Sequence, residues 1–251
     1  MKNFFDVRGK VAVITGGNRG LGRAMAEGFA DCGADVAIIS TKHAPEVEEA
    51  LKARGVRGKS YAFNLGDFAG YDALIAEIVS DFGTIDILIN NAGVQRRADA
   101  VEFPEAEWDF VVDLDMKAPF LLCQKAGRIM LEKGYGKIIN LASLLSFQGG
   151  LRVPAYAAAK AGVSGFTKSL ANEWAQHGVN INAIAPGYMA TEMNEALLVD
   201  EDRNSQILAR IPAGRWGTPD DLVGTALFLA SPASDYVNGF TIAVDGGWLG
   251  R

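Results

Sequence analysis

The feature that most constrains the fold is a strand, a glycine-rich turn and a helix that follow one another near the N-terminus. Lys10–Thr15 is a short apolar run that fits a buried strand, and Gly16–Gly22 follows it directly. Arg23–Cys32 then shows the apolar spacing of a helix. Glycines let the backbone approach a pyrophosphate, and the helix N-terminus offers it free N–H groups. The unit predicts a dinucleotide-binding fold rather than a flexible loop, because both flanks of the turn fit.

The rest of the chain continues this alternation. Most strand-like runs are almost continuously apolar, as in parallel strands covered on both faces. The pattern predicts one α/β domain over residues 1–251, with a doubly wound, Rossmann-like, mostly parallel sheet of about seven strands and helices on both faces. Predicted strands lie at 10–15, 35–40, 58–63, 85–90, 136–142, 179–184 and 239–244, and predicted helices at 20–32, 44–55, 67–82, 105–133, 154–177 and 218–230.

Residues 186–215 interrupt the regular rhythm. The segment opens with Pro186-Gly187-Tyr188 and contains the polar run 200–204. Long insertions at the C-terminal edge of such a sheet often form binding loops. We therefore expect 186–215 to be a substrate lid.

Charge and composition exclude several functions. The net charge of −6 argues against nucleic acid and anionic membranes as partners. No apolar run approaches the roughly 18 residues of a membrane helix, and Met1–Asp6 has no signal-peptide core, so a cytoplasmic location is expected. His43 and His177 are the only histidines and neither lies in a Cys/His/acid cluster, so no metal site is expected.

Tyr156 and Lys160 form the strongest chemical signal. Four residues apart on a helix, they share one face. A phenol has an ordinary pKa of about 10, and a nearby ammonium favours the phenolate and lowers that pKa. Ser143 lies thirteen residues earlier and could hydrogen-bond the reacting oxygen. The set predicts a general acid/base that interconverts a carbonyl and an alcohol, although the spacing alone is also common on Ala-rich helices.

Asn90–Gly93 ends the fourth predicted strand. Its amides can tie strand ends together, and the small Ala-Gly pair lets a cofactor lie close. An ordinary turn has the same composition.

Together, Thr15–Gly22, Asn90–Gly93, Ser143 and the Tyr156/Lys160 pair resemble the short-chain dehydrogenase/reductase family over nearly the whole chain. The resemblance implies nicotinamide-dependent hydride transfer without metal, and a homo-oligomer, with a tetramer expected. It assigns Tyr156 as the acid/base, Lys160 to the nicotinamide ribose and Ser143 to the substrate carbonyl. The expected cofactor-binding residues are Gly16, Asn18, Arg19, Gly20, Leu21, Gly22, Ser40, Lys42, Asn64, Leu65, Asn91, Ala92, Gly93, Tyr156, Lys160, Pro186, Gly187, Met189 and Thr191.

A narrower likeness points to the substrate. The runs 139–150, 183–191, 211–217 and 245–248 resemble family members that act on sugar acids of the 2-deoxy-gluconate, 2-dehydro-3-deoxy-gluconate or gluconate type. Guanidinium groups can hold a carboxylate with two parallel hydrogen bonds, although some of these arginines could instead face solvent or another subunit. The expected substrate residues are Gln95, Arg96, Arg97, Ser143, Gln148, Arg152 and Tyr156.

We therefore expect an NAD(P)-dependent oxidoreductase that interconverts a secondary alcohol and a ketone on a sugar acid. A 3-oxoacyl-carrier-protein reductase would share the catalytic set but would need a basic docking face. A non-catalytic nucleotide sensor could share the fold, although it would have no need of Ser143, Tyr156 and Lys160.

The second predicted strand bears on the choice of cofactor. It ends in Ile39-Ser40-Thr41-Lys42, without the carboxylate that usually binds the ribose 2′-hydroxyl of NAD. Arg19 and Lys42 could pair with a 2′-phosphate instead. This favours NADP(H), although the similar sugar-acid branch is usually NAD-linked.

Asp115 departs from the family pattern, which has Asn there and counts it as a fourth catalytic residue. In the family its backbone carbonyl holds a water that relays protons from the active-site Lys. In a helix the carbonyl of residue 115 would accept from residue 119, which is Pro119 and has no N–H. We expect a kink at 115–119 that keeps the relay, and a carboxylate that favours a charged Lys160. The rival expectation is that Asp115 impairs catalysis.

Overall fold

The computed structural model describes residues 3–251, so Met1 and Lys2 of the predicted domain and N-terminal run lie outside it. One sheet of seven strands has the order β3-β2-β1-β4-β5-β6-β7, and every neighbouring pair is parallel. The predicted fold class is confirmed. The strands are β1 Val11–Thr15, β2 Asp35–Ser40, β3 Gly58–Ala62, β4 Ile87–Asn90, β5 Gly136–Leu141, β6 Val179–Pro186 and β7 Thr241–Val244.

Helices follow the strands as the alternation predicted. Among residues 3–251, no helix has the length and apolar character that a membrane crossing requires. The α-helices are α1 Gly20–Asp31, α2 Pro45–Lys52, α3 Tyr71–Phe82, α4 Glu105–Val112, α5 Ala118–Lys133, α6 Pro154–Trp174, α7 Glu195–Val199, α8 Glu201–Arg210 and α9 Asp220–Ala230.

The sheet has a hydrophobic core on each face. Alternate residues of a strand point to opposite faces, so Ala12 and Ile14 of β1 join one core, with Phe29 of α1. Val11 and Val13 join the other, with residues of α3 and α5. Strands covered on both sides explain why the runs were almost purely apolar.

The strand order reverses beside β1, which pairs with β2 on one side and with β4 on the other. In an open α/β sheet, ligands bind at the carboxyl ends of the strands at such a switch point. The glycine turn after β1 and the Asn90–Gly93 turn after β4 both lie there.

The predicted helix 105–133 is interrupted. A π-helical turn, Asp113–Lys117, separates α4 from α5, and the Ala118 N–H donates to the Asp113 carbonyl five residues earlier. Pro119 follows at once and has no N–H to offer. The π-helical turn overlaps the 115–119 stretch where Pro119 predicted a kink, and the open carbonyl of residue 115 stays a prediction.

The 186–215 segment is more regular than its sequence indicated. After a short 3₁₀ turn it contains α7 and α8. The Asp200 side chain accepts from the Arg203 N–H and so caps α8. The polar run 200–204 is therefore the start of a helix.

Candidate active site

Hydrogen bonds to the hydroxyl and carbonyl of Thr15 join the two turns at the switch point. The Thr15 hydroxyl accepts from the N–H groups of Asn91 and Ala92 at 3.0 and 2.9 Å. The Asn91 amide in turn donates to the Thr15 carbonyl at 2.9 Å. The carboxyl ends of β1 and β4 are thus fixed against each other.

The glycine turn is shaped for close approach of a ligand. Gly16 has a φ of 67°, a left-handed conformation that favours glycine. A Cβ on Gly22 would lie 2.3 Å from the Gly16 carbonyl oxygen, so only glycine allows α1 to begin this close to the turn. No side chain caps the N-terminus of α1, where the cap residue is Arg19. Its free N–H groups fit the pyrophosphate of a dinucleotide.

The predicted catalytic side chains meet beyond β5 and on α6. Ser143 caps a short 3₁₀ turn after β5, where its hydroxyl accepts from the Leu145 N–H at 3.2 Å. The Lys160 Nζ donates to the Leu141 carbonyl at 3.0 Å. It lies 5.5 Å from the centre of the Tyr156 ring, and the Ser143 hydroxyl is near enough to the phenol to lower its pKa.

Asp115 lies within this group and is fully buried. Its Oδ1 accepts from the Val94 N–H at 2.8 Å, and its Oδ2 lies 3.3 Å from the Lys160 Nζ. No donor in the described chain points at Oδ2 in hydrogen-bonding geometry. A Cβ on Gly93 would lie 2.9 Å from that oxygen, so the glycine makes room for the carboxylate.

The expected lowering of the Tyr156 pKa is not found. Burial raises the pKa of the phenol, and the Asp115 carboxylate adds to this; together they outweigh the Lys160 ammonium and the Ser143 hydrogen bond, which lower it. Burial lowers the pKa of Lys160, but Asp115 and Tyr156 more than offset burial and the pKa is raised. Burial likewise raises the pKa of Asp115, against the effect of Lys160. The phenol is thus held in its protonated form.

A cavity of about 480 Å³ opens beside these groups. It brings together more than half of the residues expected from the sequence and is bounded on one side by the 186–215 segment. The expected residues that line it are Leu21, Asn91, Gly93, Gln95, Arg97, Asp115, Ser143, Gln148, Tyr156, Lys160, Pro186, Gly187, Met189 and Thr191.

Two expected substrate residues are not brought into the cavity. The Arg96 Nε lies 2.7 Å from Glu107, and the Arg152 Nε lies 2.9 Å from Asp99. Each guanidinium is therefore engaged by a carboxylate outside the cavity lining.

The remaining expected cofactor residues do not line this cavity. Gly16, Asn18, Gly20, Gly22 and Ala92 belong to the two turns at the switch point. Ser40 donates its hydroxyl to the Lys42 carbonyl at 2.7 Å, so that donor is already used. Asn64 is exposed and Leu65 buried after β3. The Arg19 Nη1 lies 2.6 Å from Glu192.

The lining side chains that were not expected from the sequence include Arg203 and Arg210 of α8, and Trp248 near the C-terminus. The contact between Arg210 and Trp248 requires the C-terminal turn to fold back on the 186–215 segment. The sequence did offer one sign of the arginines, because residues 203 and 210 are seven apart and so share one helical face.

Comparisons with known proteins agree with this geometry. Residues 16–249 match a family model described as enoyl-(acyl carrier protein) reductase. The 2-dehydro-3-deoxy-D-gluconate 5-dehydrogenases of Dickeya dadantii and Escherichia coli K12 are each 54% identical to this chain, over 99% and 98% of both sequences respectively. The structure of a gluconate 5-dehydrogenase from Burkholderia cenocepacia, in complex with NADP and tartrate, is 38% identical, with a TM-score of 0.94 and coverage of 99% of this chain and 98% of that one.

A chain with this sheet, this Ser-Tyr-Lys group and these relatives belongs to the short-chain dehydrogenase/reductase family. The resemblance inferred from the sequence motifs is confirmed.

Proposed function

We propose that the protein interconverts a secondary alcohol and a ketone on a sugar acid, using NADP(H). The observation that carries the proposal is the Ser143, Tyr156 and Lys160 group opening into a cavity whose other charged lining residues are mostly arginines. The relatives named for 2-dehydro-3-deoxy-D-gluconate and gluconate support this substrate class.

The residues of the site divide the work of the reaction. A bound nicotinamide supplies or accepts the hydride. Tyr156 gives its proton to the carbonyl oxygen during reduction and takes it back during oxidation. Ser143 hydrogen-bonds that oxygen, and Lys160 keeps a positive charge beside the phenol. Because the Tyr156 pKa is raised, proton donation is favoured at neutral pH and oxidation is favoured at alkaline pH.

Asp115 contributes a buried carboxylate next to Lys160. We propose that the water relay uses the backbone carbonyl of residue 115, as the break at Pro119 supports, and that the carboxylate keeps Lys160 protonated. Under this proposal Asp115 does not impair the enzyme.

NADP(H) is supported by the charges near the end of β2. No carboxylate stands at residues 39–42 to repel a 2′-phosphate, and Arg19 and Lys42 are both exposed and cationic there. The test is kcat/KM for NADP and NAD in the parent and in the Arg19→Ala plus Lys42→Ala variant. A preference for NAD that the double variant leaves unchanged would exclude this cofactor assignment.

Among the substrate residues expected from the sequence, Gln95, Arg97 and Gln148 have the placement needed to bind the acid. Arg97→Ala is expected to raise KM for the acid more than for its methyl ester. Arg96→Ala and Arg152→Ala are expected to have smaller effects, because both side chains are ion-paired elsewhere.

We propose that the chain is one catalytic domain with the 186–215 segment as its lid.

We also propose that the protein is a cytoplasmic homotetramer. Trp108 and Phe110 of α4 and Phe120 of α5 are exposed large apolar side chains, and a group of such side chains marks a contact surface. Sedimentation velocity tests the assembly.

The decisive experiment for the function is a turnover screen. Sugar acids and 3-oxoacyl thioesters are offered with both nicotinamide cofactors. Turnover of a sugar acid supports the proposal. Turnover of the thioester alone would favour the carrier-protein reductase, and binding of cofactor without any turnover would favour the nucleotide sensor.

A further inference from the structure

The charge of the cavity is opposite to that of the whole chain. The protein carries a net charge of −6, yet the charged residues lining the cavity are Arg97, Lys160, Arg203, Arg210 and Asp115. The carboxylate of Asp115 is buried against Lys160, so the three guanidiniums set the sign at the mouth. A cavity of this sign favours an anionic substrate.

The three arginines differ in how they are held. Arg97 donates to the Gln95 side chain at 2.7 Å, and Arg203 donates to the Gln206 side chain at 3.0 Å. The Arg210 guanidinium carbon lies over the Trp248 ring, 3.9 Å from its centre, and the guanidinium reaches the Gln148 oxygen only at 3.5 Å. None of the three pairs with a carboxylate in the described chain. Arg210 is therefore held chiefly by the Trp248 ring, and apart from its long contact with Gln148 its N–H groups have no acceptor in residues 3–251.

Trp248 is a fixed platform for this guanidinium. It is buried, and its ring centre lies 4.7 Å from that of Tyr188. Its Nε1 donates to the Gln148 Oε1 at 3.2 Å. The C-terminal turn behind it is held by Asp245, which accepts from the N–H groups of Gly247 and Leu249. Stacking on a buried ring restricts a side chain that is otherwise long and flexible.

Gln148 provides a further N–H donor beside Arg210. Its oxygen accepts from both Trp248 and Arg210, which fixes the orientation of the amide. Its Nε2 has no acceptor in the described chain. The amide of Gln148 and the guanidinium of Arg210 are thus in contact, and Gln148 lies five residues along the chain from Ser143. Adjacent donors without an acceptor are complementary to a carboxylate, which accepts on both oxygens.

We propose that Arg210, held by Trp248 and assisted by Gln148, binds the carboxylate of the sugar-acid substrate. This rests on the proposed function and names the residues that select the acid. Because Arg210 lies in α8, the 186–215 segment itself carries the group that recognises the acid. Leu144, next to Ser143, packs in the same apolar cluster as Trp248 and Ile207, which links the carboxylate site to the reacting centre.

The test separates charge recognition from folding. Steady-state kinetics are measured with D-gluconate, 2-dehydro-3-deoxy-D-gluconate and their methyl esters, in the parent and in Arg210→Gln. Loss of a charge-assisted pair is expected to raise KM for the acids by about 10- to 100-fold. KM for the esters and kcat should change little, so the preference for acid over ester falls by the same factor, and any preference that remains belongs to Arg97.

Three further variants control the result. Arg8→Gln removes one positive charge from an exposed surface pair with Asp6 and should behave as the parent. Arg210→Lys keeps the charge but loses the planar fork, so it should recover part of the affinity. Gln148→Glu places a carboxylate beside Arg210 and should weaken acid binding at least as much as Arg210→Gln. NADPH titration by fluorescence confirms that every variant is folded.

Two failures are distinguishable. If the parent turns over the acids and Arg210→Gln leaves their KM unchanged, or raises KM equally for acids and esters, the carboxylate is bound elsewhere and only this assignment falls. If the parent turns over no sugar acid in the screen, the proposed function falls and the assignment falls with it.

Discussion

The cofactor side and the substrate side of the cavity are built in different ways. The β1 and β4 ends belong to a sheet with a core on each face, and their turns are tied by N–H groups that donate to the Thr15 hydroxyl. The 186–215 segment is held by a separate small cluster that includes Ile207, Trp216 and Trp248. A side built on backbone and glycine is preorganised, whereas one resting on a few side chains can open locally.

This difference decides what each side contributes. Under the proposed function, the sheet side would bind a group common to many enzymes, a dinucleotide, through N–H groups that any sequence with the right turn can offer. The segment side presents particular side chains and would set the substrate. Five substitutions, ordered from the largest expected effect to the smallest, test whether the two sides are as separate as the structure indicates.

Tyr156→Phe should have the largest effect. It removes the proton relay while the ring still packs, and loss of a positioned acid/base typically costs about 10²–10⁴ in rate. Cofactor affinity should persist, because the sheet side is untouched. Pre-steady-state hydride transfer and NADPH titration measure the two separately. Near-normal turnover would remove Tyr156 from the mechanism.

The same difference explains what the sequence could predict. The strands, the Gly16–Gly22 turn and the Ser143, Tyr156 and Lys160 group depend on local patterns of apolar period, glycine and spacing, and all of them could be located in the sequence. Arg210 was not predicted as a site residue, because its proposed role depends on Trp248, 38 positions away. Arg96 and Arg152 looked suitable, but which carboxylates they meet, Glu107 and Asp99, is decided by tertiary contacts.

The Tyr156 pKa was missed for a related reason. Spacing on the helix gave the correct neighbour, Lys160, but burial, which sequence spacing does not report, has the larger effect on the phenol. The buried Asp115 was identified from the sequence, whereas the room made for it by Gly93 emerged only from the structure.

Trp216→Ala should loosen the substrate side alone. Trp216 is nearly buried, packs edge-on to Tyr188 at 5.4 Å and donates to Asn204 at 2.8 Å. Truncating a buried Trp costs about 3–5 kcal/mol of stability. Because Trp216 packs in the small cluster of the 186–215 segment, the loss should fall mainly on the local stability of that segment. Hydrogen exchange should rise in α8 and KM for the substrate should increase, while β2 stays protected.

Phe29→Ala provides the matched control for that experiment. Phe29 is fully buried in the sheet core, so its truncation should lower the global unfolding midpoint. If Trp216→Ala exposes β2 to exchange as much as α8, the segment and the sheet unfold as one unit and the separation proposed here is wrong.

Gly22→Ala should weaken cofactor binding on the sheet side. The added Cβ would meet the Gly16 carbonyl oxygen at 2.3 Å, a backbone atom that cannot swing away. Overpacking of this kind costs about 1–3 kcal/mol, and we expect it as weaker NADPH binding in a fluorescence titration. Gly224→Ala in α9 meets nothing within 4 Å and should bind as the parent. Equal affinity in the two variants would show that the turn adapts.

Asp115→Asn should change the pH profile more than the rate. The Asp115 carboxylate raises the pKa of both Tyr156 and Lys160, so its removal lowers both. Oxidation requires the phenolate, and its alkaline limb should therefore move to lower pH. The plateau rate should change by less than about tenfold, well below the loss of an acid/base, because the backbone carbonyl remains.

Asp113→Asn is the matched control, since Asp113 is an exposed carboxylate of the same π-helical turn, paired with Lys117. It should leave the pH profile in place. A large gain in turnover from Asp115→Asn would mean that the carboxylate obstructs the relay, and that the carbonyl of residue 115 is not sufficient.

Glu192→Gln should have the smallest effect, and it tests the one charged contact described between the glycine turn and the 186–215 segment. Arg19 and Glu192 are 72% and 70% exposed, so the pair itself contributes little. Without Glu192, Arg19 is free for the 2′-phosphate of NADP. The Kd of NADPH should fall by at most about fivefold, the gain should shrink in high salt, and the Kd of NADH should not change. Glu195→Gln, an exposed carboxylate three residues on, should change neither. If NADPH and NADH improve equally, Glu192 acts through the segment rather than through Arg19, and the two sides of the cavity are coupled more tightly than their separate cores imply.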